Sequence, residues 1–174
     1  MDKYKILLTE EQIQRRVKEL GKTITEDYRD KKPVIICMLK GAVYFFADLT
    51  KNIELPLMID FARLSSYRNG TKGGHMELIS DITAEIEDKD VIIVEDIVDS
   101  GKTLAYFVEL LKKKRPASVR ICAFLDKKER REVDISADYV GFDIPCGFVI
   151  GYGLDYAEKY REFPFLAEIT EFES

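Results

Sequence analysis

Two continuous apolar runs, each followed by a break and then by helical periodicity, constrain this fold more than any other feature. Val34 to Leu39 ends at Lys40-Gly41, and Ala42 to Asn52 then carries Val43, Phe46 and Leu49 on one helical face. Val91 to Val94 runs into a polar stretch, and Leu104, Phe107, Val108 and Leu111 mark a helix after Gly101. Unbroken apolar strands that alternate with helices predict an α/β fold with a mostly parallel central sheet. Further strands are expected at 57–64, 78–83, 119–125, 139–142 and 148–150. A helix is expected to open the chain. Thr9 and Gln12 make a capping-box pattern, and Ile13, Val17, Leu20 and Ile24 recur at helical spacing, with Gly21 a weakening element. No repeat or linker-like composition interrupts the 174 residues, so one domain spanning 1–174 is expected.

Composition removes several classes of function. The net charge of −5 argues against a general binder of nucleic acid or of anionic membranes. No apolar stretch approaches the ~20 residues of a spanning helix, and the N-terminus lacks a signal-peptide pattern, so a cytoplasmic protein is expected. The three cysteines, Cys37, Cys122 and Cys146, are widely spaced and form no CxxC pair, so neither a zinc site nor a disulfide scaffold is indicated. His75 is the only histidine, which disfavours a Ser-His-Asp triad or a multi-histidine metal site.

The chemistry concentrates between Val91 and Leu104. Apolar residues drive a strand into the sheet, and Glu95, Asp96 and Asp99 then place three carboxylates in five positions. Ser100-Gly101-Lys102-Thr103 follows immediately before an amphipathic helix. Backbone amides at a helix start, with hydroxyl side chains and a glycine beside them, make an anion site. Carboxylates just upstream would repel a bare polyphosphate but suit a ligand with hydroxyls, or a metal, next to its phosphate. A sugar phosphate has that polarity. Two look-alike motifs fail. A P-loop needs a glycine five residues before Gly101, and Asp96 stands there. A dinucleotide fingerprint beginning at Gly151-Tyr152-Gly153 needs a small residue at 156, which is Tyr156.

Glu95 to Thr103 resembles the PRPP-binding motif of the type I phosphoribosyltransferases. Further segments narrow the resemblance to the hypoxanthine-guanine phosphoribosyltransferases, in their short bacterial form. These are Leu39-Lys40-Gly41, Ser66-Tyr67, Leu125-Asp126-Lys127, Val140 to Pro145, and Gly151 to Tyr156 followed by Arg161. The resemblance covers nearly the whole chain. It implies a mostly parallel sheet flanked by helices, with a small hood contributed by the chain termini. It also implies transfer of the 5-phosphoribosyl group from PRPP to N9 of hypoxanthine or guanine, giving IMP or GMP and pyrophosphate.

The roles of individual residues are likewise implied by the resemblance. Glu95 and Asp96 correspond to acids that bind the ribose hydroxyls, and Asp99 to a candidate general base near purine N7. Ser100, Gly101, Lys102 and Thr103 match the loop around the 5′-phosphate. Lys40, Gly41 and Arg161 match pyrophosphate contacts, and the Leu39–Lys40 bond is expected to be cis. Lys127 matches the donor to the purine 6-oxo group, with Lys128 the neighbouring alternative. Phe148 matches the stacking aromatic, although as a residue it reads equally as core, and Val149 contributes backbone groups to the base. Asp155 matches an acid near metal and purine. Mg²⁺ is the implied cofactor, near Glu95, Asp96 and Asp155, and a homodimer or homotetramer is the implied assembly. Cys146-Gly147 departs from the family pattern, which puts base preference in question.

The polar segment from Ser65 to Glu77 reads as a long loop that closes as a lid over PRPP, bringing Ser66 and Tyr67 to the pyrophosphate. Rival functions are a related transferase for xanthine or a pyrimidine, and a PRPP-sensing regulator that binds nucleic acid. The regulator draws its support from Lys112 to Arg115 and from the basic run Lys127-Lys128-Glu129-Arg130-Arg131. Complementation of a helix C-terminus is the favoured account of the first run.

Overall fold

A computed structural model describes residues 3–67 and 75–172. In chain order the elements are β1 (Lys3–Leu8), α1 (Glu10–Asp27), β2 (Val34–Met38), α2 (Val43–Lys51), β3 (Met58–Tyr67) and β4 (His75–Ser80). They continue with β5 (Asp90–Val98), α3 (Lys102–Lys112), β6 (Ser118–Asp126), β7 (Tyr139–Asp143), β8 (Val149–Ile150) and β9 (Leu166–Glu171). Six strands form one sheet in the order β4-β3-β2-β5-β6-β7, and every pair except β3–β4 is parallel. A second, antiparallel sheet in the order β1-β9-β8 joins the two chain ends and forms the expected hood.

The central strands are apolar on both faces because both faces are covered. On one side Ile35 and Cys37 of β2 and Ile92 and Val94 of β5 pack with Phe45, Leu49 and the α1 stripe Ile13, Val17, Leu20 and Ile24. On the other side Val34, Ile36, Val91 and Ile93 meet Leu104, Phe107 and Leu111 of α3. The capping box opens α1: Gln12 N–H donates to Thr9 Oγ1 at 3.3 Å, and Thr9 N–H donates to Gln12 Oε1 at 2.9 Å. Gly21, a weak point by propensity, lets α1 approach the end of α2. A β-carbon there would lie 2.5 Å from the Asn52 carbonyl oxygen.

Three expectations are corrected. The chain opens on β1 rather than on a helix; its side chains are mostly exposed, so no burial pattern marks it. Strand β5 does not stop at Val94 but runs through Glu95 and Asp96 to Val98, held by parallel pairing to β6 as far as Asp126. The expected loop from Ser65 to Glu77 is a hairpin at both ends, with Ser65 opposite Glu77, Ser66 opposite Met76 and Tyr67 opposite His75. Main-chain pairing at a sheet edge needs no apolar side chains, so polar composition concealed it. Residues 68–74, including most of the expected lid, lie outside the described residues. No helix among the described residues is long and apolar enough to cross a membrane.

Candidate active site

The C-terminal ends of β2 and β5 lie side by side in parallel, where an open α/β sheet binds ligands. From β5, Glu95 and Asp96 emerge with little solvent around them. The Asp96 N–H donates to Glu95 Oε1 at 3.0 Å, and the Ile97 N–H donates to Asp96 Oδ1 at 2.7 Å. Burial pushes the Glu95 carboxyl well above the usual carboxylate range, and the adjacent Asp96 charge adds to it. Burial also raises Asp96, opposed by hydrogen bonds from Glu95 and the Ile97 amide and by the charge of Arg161.

From β2, the chain turns through a cis Leu39–Lys40 bond into Gly41. Only a glycine fits there, because a β-carbon would lie 1.6 Å from Asp96 Oδ2. The Gly151–Asp155 turn presses on the same loop. Gly153, at φ +101°, places its α-carbon so that a β-carbon would stand 1.9 Å from the Gly41 carbonyl oxygen. These approaches bring Lys40, Gly41, Glu95, Asp96, Thr103, Asp155 and Arg161 around one cleft of about 540 Å³. Arg161 is fixed across it, donating through Nη1 to the Gly153 carbonyl at 2.7 Å and pairing through Nη2 with Asp155 Oδ1 at 2.8 Å.

A smaller hollow of about 100 Å³ adjoins the cleft, bounded by Glu95, Asp99, Ser100, Gly101 and Thr103. Gly101 caps α3 in the left-handed region at φ +80°, and its carbonyl accepts the first helical bond from Ala105 at 2.9 Å. This hollow has the scale of one phosphate at a helix start. The Lys102 ammonium does not enter it but pairs with Glu132 instead. Of the four expected cradle residues Lys102 is the one that does not bound the hollow; its N–H donates to Ser100 Oγ at 3.4 Å.

At the edge of the hollow, Asp99 Oδ1 is buried with no hydrogen-bond partner, and Arg130 Nη1 stands 3.6 Å from Oδ2. The Lys127 amide donates to the Val98 carbonyl at 3.0 Å, which ties β6 to the end of β5. Lys127 as a residue is 8% exposed, and its side chain donates to the Gly147 carbonyl at 3.0 Å. Lys128 points out to Asp143 at 3.1 Å, so Lys127 is the inward lysine of the two. Phe148 is 46% exposed, which excludes the core reading, and its ring meets Tyr156 edge-on at 5.6 Å and Phe172 at 5.8 Å. Val149 is buried in β8 opposite Glu168. At the Cys146-Gly147 departure, Gly147 sits at φ +98° and a β-carbon would lie 2.2 Å from Glu168 Oε1. Of Ser66 and Tyr67 only the main-chain pairing in β3 is described.

Sequence reasoning missed Arg131, which lay hidden in the basic run. Its side chain is only 17% exposed and braces the site from below. Nε donates to the Asp99 carbonyl at 3.0 Å, Nη2 to the Val98 carbonyl at 3.1 Å, and the same nitrogen pairs with Asp126. With Lys127 and Arg131 both turned inward, this run is not a basic surface. In the Lys112–Arg115 run three of the four charges are paired: Lys112 with Glu109, Lys114 with Asp81 and Arg115 with Glu87.

Residues 3–157 match the family described as phosphoribosyl transferase domain. A hypoxanthine-guanine phosphoribosyltransferase of Bacillus subtilis is 48% identical over 163 residues, covering 93% of this chain and 91% of that one. A crystal structure of a hypoxanthine-guanine phosphoribosyltransferase from Bacillus anthracis superposes with a TM-score of 0.90 at 43% identity, over 97% of this chain and 98% of that one. A hypoxanthine phosphoribosyltransferase from Staphylococcus aureus gives 0.91 at 46% identity, over 95% and 90%. The chain therefore belongs to the phosphoribosyltransferase family, in its hypoxanthine-guanine branch, and has the type I fold of that family.

Proposed function

We propose that this enzyme transfers the 5-phosphoribosyl group from PRPP to N9 of hypoxanthine or guanine and releases pyrophosphate. One observation carries the reading: a helix-start hollow, a pair of adjacent β5 carboxylates and two cations meet around a single cleft. Each part has a matching group on the substrate. The amides and hydroxyls of Ser100 to Thr103 donate to the 5′-phosphate. Glu95 and Asp96 accept from the ribose hydroxyls. Lys40, Gly41 and Arg161 take the pyrophosphate, the arginine through its planar fork.

The base lies at the other end. Phe148 offers an exposed ring for stacking, and Val149 offers main-chain groups to the base edge. Lys127 donates to the 6-oxo oxygen, turning from its present acceptor, the Gly147 carbonyl. Asp99 accepts the proton at N7 as positive charge builds on the ribose, in the manner of glycoside chemistry. Ser66 and Tyr67, on the hairpin strand beside the cleft, complete the lid over the pyrophosphate.

The donor set of the cleft fits Mg²⁺. Glu95, Asp96 and Asp155 are hard oxygen donors that line it. Among the described residues no three of them close into a cage. Mg²⁺ characteristically takes one or two carboxylates and completes its shell with water and substrate phosphate. When bound it would neutralise charge on the leaving pyrophosphate.

The family resemblance also implies a cytoplasmic homo-oligomer, dimer or tetramer. Ile59 and Phe61 on β3 and Ile79 on β4 are large, exposed and apolar, and suit a contact with a second copy of the chain. The deciding experiment is a set of steady-state rates with PRPP and Mg²⁺ on hypoxanthine, guanine, xanthine and adenine. Turnover of hypoxanthine or guanine with adenine nearly inert supports the reading. Preferential use of xanthine or adenine would replace it.

A further inference from the structure

The cleft already holds an anion of its own. Lys40 Nζ lies 3.0 Å from Glu158 Oε2, and Arg161 Nη2 lies 3.3 Å from Glu158 Oε1. One carboxylate thus spans two cations delivered by distant parts of the chain. The turn that carries it has a fixed shape. Tyr156 and Lys159 exchange main-chain hydrogen bonds of 3.1 and 3.0 Å, and the Glu158 N–H donates to Asp155 Oδ2 at 2.9 Å. Ala157, Glu158 and Tyr160 all stand at positive φ, +50°, +62° and +77°, a region that residues with a β-carbon seldom adopt. The turn directs Glu158 towards the cations while its side chain remains 66% exposed, so an incoming ligand can displace it. Lys40 first, then Arg161, holds the Glu158 carboxyl below the usual range.

We infer that Glu158 is an internal competitor for the diphosphate group, occupying the Lys40–Arg161 cation pair until PRPP displaces it and returning to the pair as pyrophosphate leaves. The inference rests on the proposed reading of those two cations as diphosphate contacts. A carboxylate presents one negative charge over two oxygens, whereas a diphosphate presents more of both, so the substrate wins the exchange. Its affinity is lowered by the ion pairs it must break. On the product side, the return of Glu158 neutralises Lys40 and Arg161 again as pyrophosphate departs, which favours release.

The test measures pyrophosphate binding by titration calorimetry in the presence of Mg²⁺, together with KM for PRPP, on wild type, Glu158→Gln, Glu158→Ala, Lys40→Met and Arg161→Met. Exposed ion pairs are weak, so removing Glu158 should tighten pyrophosphate binding and lower KM for PRPP by about two- to tenfold. The gap should narrow at high ionic strength. Circular dichroism on the Glu158 variants checks that the fold is intact. If both Glu158 variants bind pyrophosphate no more tightly than wild type while Lys40→Met weakens it, the competitor role is overturned and the cation reading survives. If Lys40→Met and Arg161→Met both bind pyrophosphate as wild type does, the cation reading fails and takes the inference with it.

Discussion

Arg131 donates through Nε to the main-chain carbonyl of Asp99 at 3.0 Å, so the segment carrying the candidate base is held by a side chain from a different loop. The same guanidinium reaches the Val98 carbonyl and pairs with Asp126, the residue before Lys127. One arginine thereby braces both the β5 end and the β6 end, and with them the groups proposed to handle N7 and O6 of the purine. Removing one partner of a buried pair strands the other charge, at about 3–5 kcal/mol. Arg131→Met should lower the unfolding free energy obtained from urea titration by an amount of that order, bring the urea midpoint down with it, and reduce kcat. Arg131→Lys, which keeps the charge and loses the fork, should fall between. Arg131→Met with wild-type midpoint and turnover would refute the brace.

The Asp99 carboxylate has one oxygen buried without a hydrogen-bond partner, an acceptor whose bonding capacity the protein itself leaves unmet. Asp99→Asn keeps the shape and removes the capacity to take a proton. General acid–base catalysis contributes typically ~10²–10⁴-fold, so kcat should fall by that factor while KM for PRPP changes little. Single-turnover measurements ensure that chemistry is the step observed. A variant with unaltered single-turnover rate would take the base role away from Asp99.

How much of this was readable follows from where the signals sit. β2 with α2, and β5 with α3, were legible because buried strands and one-faced helices write their surroundings into consecutive residues. The Glu95 to Thr103 site was legible for the same reason, being contiguous. β1 was not, since its side chains are exposed and its pairing is to β9, far away in sequence. Arg131 looked like solvent-facing charge because nothing local tells an arginine that folds inward from one that does not. Glu158 was invisible too, since its meeting with Lys40 depends on a turn built from left-handed residues.

At Glu95 the requirements of folding oppose those of the binding role proposed for it. Its carboxyl titrates well above the ordinary range because burial, and then the Asp96 charge, penalise ionisation. A raised acid contributes stability that is fully present below its unfolded value, about 4.3, and is lost as pH rises through the folded value. Without ligand, the thermal midpoint of wild type should therefore fall as pH rises from weakly acidic towards alkaline. Glu95→Gln cannot ionise, so its midpoint should vary less with pH and exceed that of wild type at neutral pH. Its affinity for PRPP should drop, since an amide is a poorer acceptor for ribose hydroxyls. Melting curves on both proteins across the pH range decide it: a variant less stable than wild type at neutral pH contradicts the argument.

In the proposed function, substrate choice rests on Lys127. The side chain is buried, carries only donors and now spends one of them on the Gly147 carbonyl. Hypoxanthine and guanine present a 6-oxo acceptor to it, whereas adenine presents an amino group, so donor would face donor. A site built around one hydrogen bond rejects an analogue lacking the partner by about 10⁴–10⁵ in kcat/KM, because its buried polar group is left unpaired. Wild type should therefore nearly ignore adenine. Lys127→Ala should lose most activity on hypoxanthine, since no charged donor then polarises O6, and the ratio of hypoxanthine to adenine should shrink. Lys128→Ala should leave that ratio alone, because Lys128 faces Asp143 in solvent. The measurement is kcat/KM for both bases on all three proteins. Robust adenine use by wild type would refute the 6-oxopurine assignment. A ratio that shifts in Lys128→Ala but not in Lys127→Ala would move the role to the outer lysine.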